Sequence, residues 1–431
     1  MSESSVKLWG QYRTAMVDTL SQGADWNSVQ LVTAPLPATW NEKYWKKRTD
    51  GKKERKAVAR WVLNTQGNVI PSWSANYKES GQTVTGSYEL IFTNIDIPPA
   101  DPANQQKANE AAEELGEALE NLNMLEGNLF EEWDAFNTKQ EGLPPNRQLS
   151  FRQWYTKFQA PKISAAQGRV DSAQQTYVSY LNTSTQGWQT FAQMQQRFND
   201  PQFQVVGMTP PPNSSEVDQR TFDTAADLQK FIDDFKAGQR QSQEIIITSK
   251  TEVSHESTFN VGAKAGWTNG FVAVSGGGEY EEVNIDNTSD EFKMVSRLSS
   301  WQQFPIRPGG WYMGSQVAAL ENGPWQPGGI IGNGTKKPWG QGGIFPLMIS
   351  SLVVVMQPEV EINLGHSAYN EVRKKWGATA GVRIGPFTFG GKAGGSSKDV
   401  TFNEDTFSIS AKDTTGVPKI FAVLNNVLPI S

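Results

Sequence analysis

Cysteine is absent and histidine nearly so: the 431 residues include 0 Cys and 2 His, His255 and His366. Disulfides, thiolate metal sites and cysteine nucleophiles are therefore excluded together. A three-histidine zinc site is arithmetically impossible, and a Ser-His-Asp triad has only two candidate bases. We expect no catalytic residue, no metal and no cofactor, hence a protein that is not an enzyme. Long apolar runs are missing too. The densest, Ile245–Ile247 and Leu352–Met356, fall far short of the roughly 18 residues that a helix needs to span a bilayer. Met1–Lys7 has no basic stretch leading into an apolar one, so no secretory signal is read there. Cytoplasmic synthesis is expected, with release to the outside by a non-classical route as a further option.

What is present is aromatic bulk. Hydrophobic residues are only 37% and mean hydropathy is -0.52, yet 15 Trp, 21 Phe and 10 Tyr can fill a core. Intrinsic disorder is thereby disfavoured, because disordered chains lack that buriable surface.

The net charge of -6 conceals two opposed segments. Residues 42–60 hold nine Lys and Arg against three acidic residues, interleaved with Tyr44 and Trp45. Residues 104–141 hold ten acidic residues against Lys107 and Lys139. Lys43, Lys46, Lys47, Lys52, Lys53, Arg55 and Lys56 are candidate contacts to an anionic membrane surface or to the acidic helix of another subunit. A solvated loop is the bland alternative. Nucleic acid is not expected, given the pI near 5.3 and the lack of a recognised motif.

Four blocks follow from the patterning: residues 1–100, a basic segment with a small β-sheet; 101–200, a helical hairpin; 201–243, a linker and short helix; and 244–431, a β domain. Trp61–Leu63, Val69–Ile70, Ser72–Tyr77 and Thr83–Ile97 read as strands from their β-branched and aromatic content. Asp101-Pro102 opens a helix in which Leu115, Leu122 and Leu129 recur at heptad spacing. A second helical stretch carries Val170 and Tyr177 on a similar repeat, with Pro161 starting or kinking it. These five residues should form the seam of an antiparallel, coiled-coil-like pair. Gly207–Ser215 reads as a linker, and Thr224–Ala237 as a short helix ended by Gly238.

The C-terminal half is internally repeated. Gly262-Ala263-Lys264-Ala265-Gly266 is echoed by Gly377-Ala378-Thr379-Ala380-Gly381. Gly270–Val274 matches Gly385–Phe389, Val283–Asp286 matches Val400–Asn403, and Phe292–Met294 matches Phe407–Ile409. Two related antiparallel meanders are the expected unit, giving an α+β fold with the helical hairpin. Residues 250–429 resemble a family of uncharacterised fungal and bacterial proteins that share a Gly-Pro-Phe-x-Phe-Gly-Gly hairpin and a closing strand ending in Val-x-Pro. That family has no established activity, so the resemblance implies a duplicated glycine-rich β domain and transfers no functional residue.

Several candidate sites meet ordinary explanations. Gly385–Lys392 lacks the first glycine and the Ser or Thr of a phosphate loop, leaving a glycine-rich hairpin. Asp286, Thr288 and Asp290 lack the glycine of a calcium loop, leaving a β-turn. Trp301, Trp311, Trp325 and Trp339, in Gly/Pro-rich surroundings, suggest a sugar-stacking or membrane-interface surface, or else rings that pin loops onto a sheet. Alternating residues Phe259, Val261, Ala263, Phe271, Val272, Val274, Val283 and Ile285 have the texture of strands able to insert as a barrel. The leading expectation is a toxin-like, pore-forming homo-oligomer that binds anionic membranes. A self-assembling structural protein and a glycan-binding module are the alternatives.

Overall fold

The computed structural model describes residues 1–21, 24–46, 52–96, 105–140, 144, 149, 154–181, 186–208, 217–239, 241–254, 257–261, 267, 269–275, 279–320, 323, 325–331, 336–376, 380–390 and 399–429. Along it run α1 (Glu3–Leu20), β1 (Val29–Pro37), α2 (Glu42–Trp45), α3 (Lys52–Asn68), β2 (Val69–Pro71), β3 (Glu79–Thr83) and α4 (Val84–Thr93). Then come α5 (Gln105–Gly127), α6 (Leu129–Gln140), a π-helical turn (Tyr155–Gln159), α7 (Ala160–Leu181) and α8 (Gln186–Asn199). Strands β4 (Gln204–Met208), β5 (Val217–Arg220) and β6 (Phe222–Asp223), α9 (Leu228–Lys236) and β7 (Gln243–Thr248) follow. The remainder is β8 (Val272–Ser275), β9 (Glu281–Glu282), β10 (Lys293–Leu298), β11 (Ser300–Pro305), β12 (Arg307–Pro308), α10 (Gly314–Ala319), β13 (Leu347–Met356) and β14 (Glu359–Asn363). Last are α11 (Gly365–Lys375), β15 (Gly381–Ile384), β16 (Phe387–Gly390), β17 (Val400–Asn403), β18 (Ser408–Lys412) and β19 (Lys419–Val427).

The class is α+β, with antiparallel sheets. Two compact units emerge. The larger gathers Met1–Tyr88, Gln204–Gly309 and Trp339–Leu428; the smaller holds Glu89–Phe203 and Gly310–Pro338.

In the larger unit, α1 starts where the Ser2 hydroxyl accepts the Ser5 N–H at 3.2 Å, with Glu3 in the first turn. Its buried Leu8, Trp9, Tyr12, Met16 and Leu20 recur at helical spacing and enter the main core. Three sheets line that core. One has the order β1-β19-β13-β11, a second β17-β18-β14-β10-β7, and a third β16-β15-β8-β9. Strand β13 is buried at nine of its ten positions, as its unbroken apolar run demands of a central strand.

Two stretches read as strands are helical. Trp61–Leu63 lies inside α3, where lysine, arginine, glutamate and alanine favour a helix that carries the β-branched residues along. Asn64 then fixes the helix by donating to the Arg220 carbonyl (3.1 Å) and accepting the Phe222 N–H (3.1 Å). Of Thr83–Ile97, Thr83 ends β3 and Val84–Thr93 forms α4, because the Thr83 hydroxyl accepts the Gly86 N–H at 3.1 Å and so starts a helix; Ile97 lies outside the described residues. Only β2 and β3 remain of the N-terminal sheet.

The repeated halves do not fold as two self-contained meanders. The four-residue strand β8 pairs with β15 from the second copy, register Ala273↔Arg383, while β10 and β18 both flank β14 in another sheet. Both β8 and β16 are buried along their whole length, so neighbours from across the sequence decide their placement over local hairpin preference.

In the smaller unit, Leu115 and Leu122 of α5 pack with Val170 and Tyr177 of α7, joined by Ala111 and Ala166. The side chain of Leu129 lies outside the described residues. Further along, Gln159 donates to Glu132 at 2.6 Å and the Leu149 N–H to Gln140 at 2.8 Å, so the second run retraces the first. Pro161 has no N–H to donate one turn back, and the π turn sits directly ahead of it.

Candidate binding surface on the five-stranded sheet

The pleat of β7, β10, β14 and β18 sends one set of side chains to the core and the other to the opposite face, where Val295 and Ser408 are themselves buried. Ile245, Ile247, Met294, Leu298, Val360, Ile362, Ile409 and Ala411 are buried. The outward set falls into three rows fixed by register. Glu244, Arg297, Glu359 and Lys412 form one; Ile246, Val295, Glu361, Ser410 and Thr401 the next; Thr248, Lys293, Asn363, Ser408 and Asn403 the third.

The first row is a ladder of alternating charge. Arg297 reaches Glu244 at 2.9 Å, Glu361 at 3.3 Å and Glu359 at 3.5 Å, and Lys412 reaches Glu359 at 3.7 Å. Partial burial opposes the arginine's charge, but hydrogen bonds from Glu244 and Glu361 outweigh it and hold the pKa above its ordinary value. One guanidinium thereby ties three strands together.

Beside the ladder lies an open groove of about 910 Å³, bounded by Glu291, Lys293, Arg297, Glu361, Asn363, Ser408 and Ser410 and by the turn Asn403–Thr406. That turn is held by the Asn403 carboxamide oxygen, which accepts the N–H groups of Asp405 (2.9 Å) and Thr406 (3.2 Å). Phe407, just beyond it, takes a positive φ of 48°. The aromatic in the lining, Phe402, packs on Tyr369 and Trp376 and under Arg373. The groove is thus walled by hydroxyl, amide and carboxylate groups together with Lys293, Arg297, Val295 and Phe402, and its volume is within the range of ligand sites.

The tryptophans do not assemble into an outward surface. Trp301 on β11, Trp311 and Trp339 are 4%, 0% and 6% exposed, and Trp325 is partly buried. Trp311 packs edge-on against Phe198. Trp301 is a core residue of a regular strand, and Trp311 and Trp339 anchor irregular segments, since large rings in a polar chain are most useful as core. The strands expected to insert into lipid are core as well. Phe259, Val261, Phe271, Val272, Val274, Val283 and Ile285 are each at most 5% exposed, and Ala263 lies outside the described residues. Val272 and Val274 lie in β8, which is buried on both faces, whereas Phe259, Val261, Phe271, Val283 and Ile285 lie outside strands.

The basic segment is helical where described. Lys43 pairs with Asp233 at 2.8 Å and Lys56 with Glu42 at 3.6 Å, while Lys46, Lys52 and Lys53 are exposed and Arg55 is partly buried. Lys47 and His255 lie outside the described residues. His366, on α11, meets Asn370 and the edge of Phe407. Gly385 forms the β15–β16 turn at φ +56°, its N–H donating to the Phe271 carbonyl at 2.8 Å. Asp286 accepts both the N–H and the hydroxyl of Thr288, as a turn residue does. Among the described residues, no group of three or more acidic or histidine side chains is placed to hold a metal. No described helix is long and apolar enough to cross a membrane.

The ladder had a partial signal in sequence: polar and apolar residues alternate through Glu359–Asn363 and Ser408–Lys412, though not through Lys293–Leu298. Set against family models, curated proteins and solved structures, the chain matches none of them. Function must therefore be argued from this surface.

Proposed function

We propose that this is a non-enzymatic carbohydrate-binding protein that takes a polyhydroxylated ligand across the outer face of the five-stranded sheet. The groove beside Arg297, about 910 Å³ and walled by Asn363, Ser408, Ser410, Thr401 and Glu361, is the observation that carries this reading. Hydroxyl-rich ligands need donors and acceptors at closely spaced positions, and amide, hydroxyl and carboxylate side chains supply both. The charge ladder and the Asn403 turn hold those groups in place beforehand, which lowers the ordering cost of binding. Membrane insertion is the less economical reading, because Phe271, Val272 and Val274 would have to leave the core.

The test is a screen of immobilised glycans, followed by calorimetry on the best of them. Asn363→Ala with Ser410→Ala removes neighbouring polar groups at the groove and should weaken binding by about tenfold, the equivalent of one or two net hydrogen bonds. If the parent protein holds no glycan, or the double variant binds as tightly as the parent, the proposal fails.

A further inference from the structure

Two helix faces present exposed charge of opposite sign. On α3, Lys52, Lys53, Lys56 and Arg60 are exposed, and positions 52, 56 and 60 share one face. From Lys52 to Arg60 the face runs about 12 Å at 1.5 Å per residue. Lys56 and Arg60 each meet one acid, Glu42 at 3.6 Å and Asp223 at 3.3 Å, in solvent-exposed pairs of the kind that exchange partners at little cost.

On α5, Glu110, Glu113, Glu114, Glu117 and Glu120 are exposed, while Leu115 and Leu122 are buried against α7. The acidic strip is about 15 Å long by the same rise. None of these five carboxylates makes an ion pair among the described residues. Like charges three and four residues apart destabilise a helix unless a counter-charge meets them. Each helix presents what the other needs, over a similar length and with a similar number of charges.

We infer that two copies of this chain associate through α3 of one and α5 of the other. Each such contact covers the basic face of one copy and the acidic face of the other. The partner is a second copy and not an anionic lipid or a polynucleotide. Either of those would cover the lysines and leave the glutamate strip facing water. This goes beyond glycan binding and involves no groove residue.

Sedimentation of the full-length protein tests it. At low salt the parent should sediment as a multiple of 47.6 kDa, and in roughly 1 M salt, where the Debye length is about 3 Å, as the single chain. Lys52→Glu with Lys53→Glu should abolish association at low salt, and so should Glu113→Lys with Glu117→Lys. The chain carrying all four substitutions should associate again, since the charges are exchanged and not removed. Circular dichroism on each variant separates lost association from lost folding. Three results would overturn the inference: a monomeric parent at about 100 µM, a concentration that reveals weak interfaces; salt-insensitive association; or no rescue in the four-substitution chain. A monomeric parent whose lysine variant alone loses binding to phosphatidylserine vesicles would instead assign α3 to membranes.

Discussion

The indole of Trp9 stacks on that of Trp267, with centroids 5.1 Å apart and planes within 10° of each other. Phe271 closes the pair from the edge at 5.0 Å, and the Trp9 ring N–H donates to the Asn269 carbonyl at 2.8 Å. The first helix is thus locked into the core by residues some 260 positions away. Trp9→Ala removes the stack, the hydrogen bond and a fully buried volume. It should cost about 3–5 kcal/mol, read as a lower denaturant midpoint with an unchanged slope.

Leu122 is 9% exposed in the seam between α5 and α7. Leu122→Asp buries a carboxylate in the apolar cluster of Leu115, Val170 and Tyr177. Several kcal/mol should be lost from the smaller unit. A parent-like thermal melt would show that this seam does not hold the helices together.

Gly67 faces the ring of Phe222 so closely that an added Cβ would lie 2.5 Å from it. Helix α3 has no room to shift, since Asn64 is bonded to Arg220 and Phe222. Gly67→Ala, which raises helix propensity on an open surface, should here destabilise by about 1–3 kcal/mol through overpacking. Chemical denaturation of this single variant decides the sign.

Glu282 carries the clearest pH signature. Burial raises its pKa, but hydrogen bonds from the Ser2 N–H and from the hydroxyls of Ser5 and Ser2 win, bringing it from 4.5 down to about 2. The depressed value means the folded state binds this proton less readily than the unfolded one. Its stabilisation is therefore complete above about pH 4.5 and fades as pH falls toward 2. Glu282→Gln should flatten that part of the stability curve while lowering stability at neutral pH. An acid limb identical to the parent's would remove Glu282 from the account.

Local periodicity made some of this legible in sequence. Leu115, Leu122, Val170 and Tyr177 repeat along helices, and a face that repeats needs only its own strand of sequence to be seen. The α+β class and the short helix ended by Gly238 were readable for the same reason. Where tertiary contacts chose, the reading failed. Trp61–Leu63 has strand-like residues, but Asn64 and Gly67 dock that stretch as a helix. The Gly-rich repeat is real as sequence, yet β8 finds its neighbour in β15, far along the chain. The binding groove was harder still. Its rows exist only once Glu244, Arg297, Glu359 and Lys412 are brought side by side from four strands, and no window of sequence contains them together.

Strands β1 and β19 pair with Val29 opposite Leu424. A ribosome making this chain releases the first strand hundreds of residues before the strand that will lie against it. The sheet containing β13 can therefore not close on the nascent chain, and Leu31 and its neighbours must wait, uncovered on that edge, until β19 has been made. Helices α5 and α7, separated only by α6 and the π-helical turn, are under no such delay and can pair while later strands are still being translated. A cell producing this protein must keep the early apolar strand from sticking to others during that interval, which makes its yield sensitive to translation rate and chaperone supply.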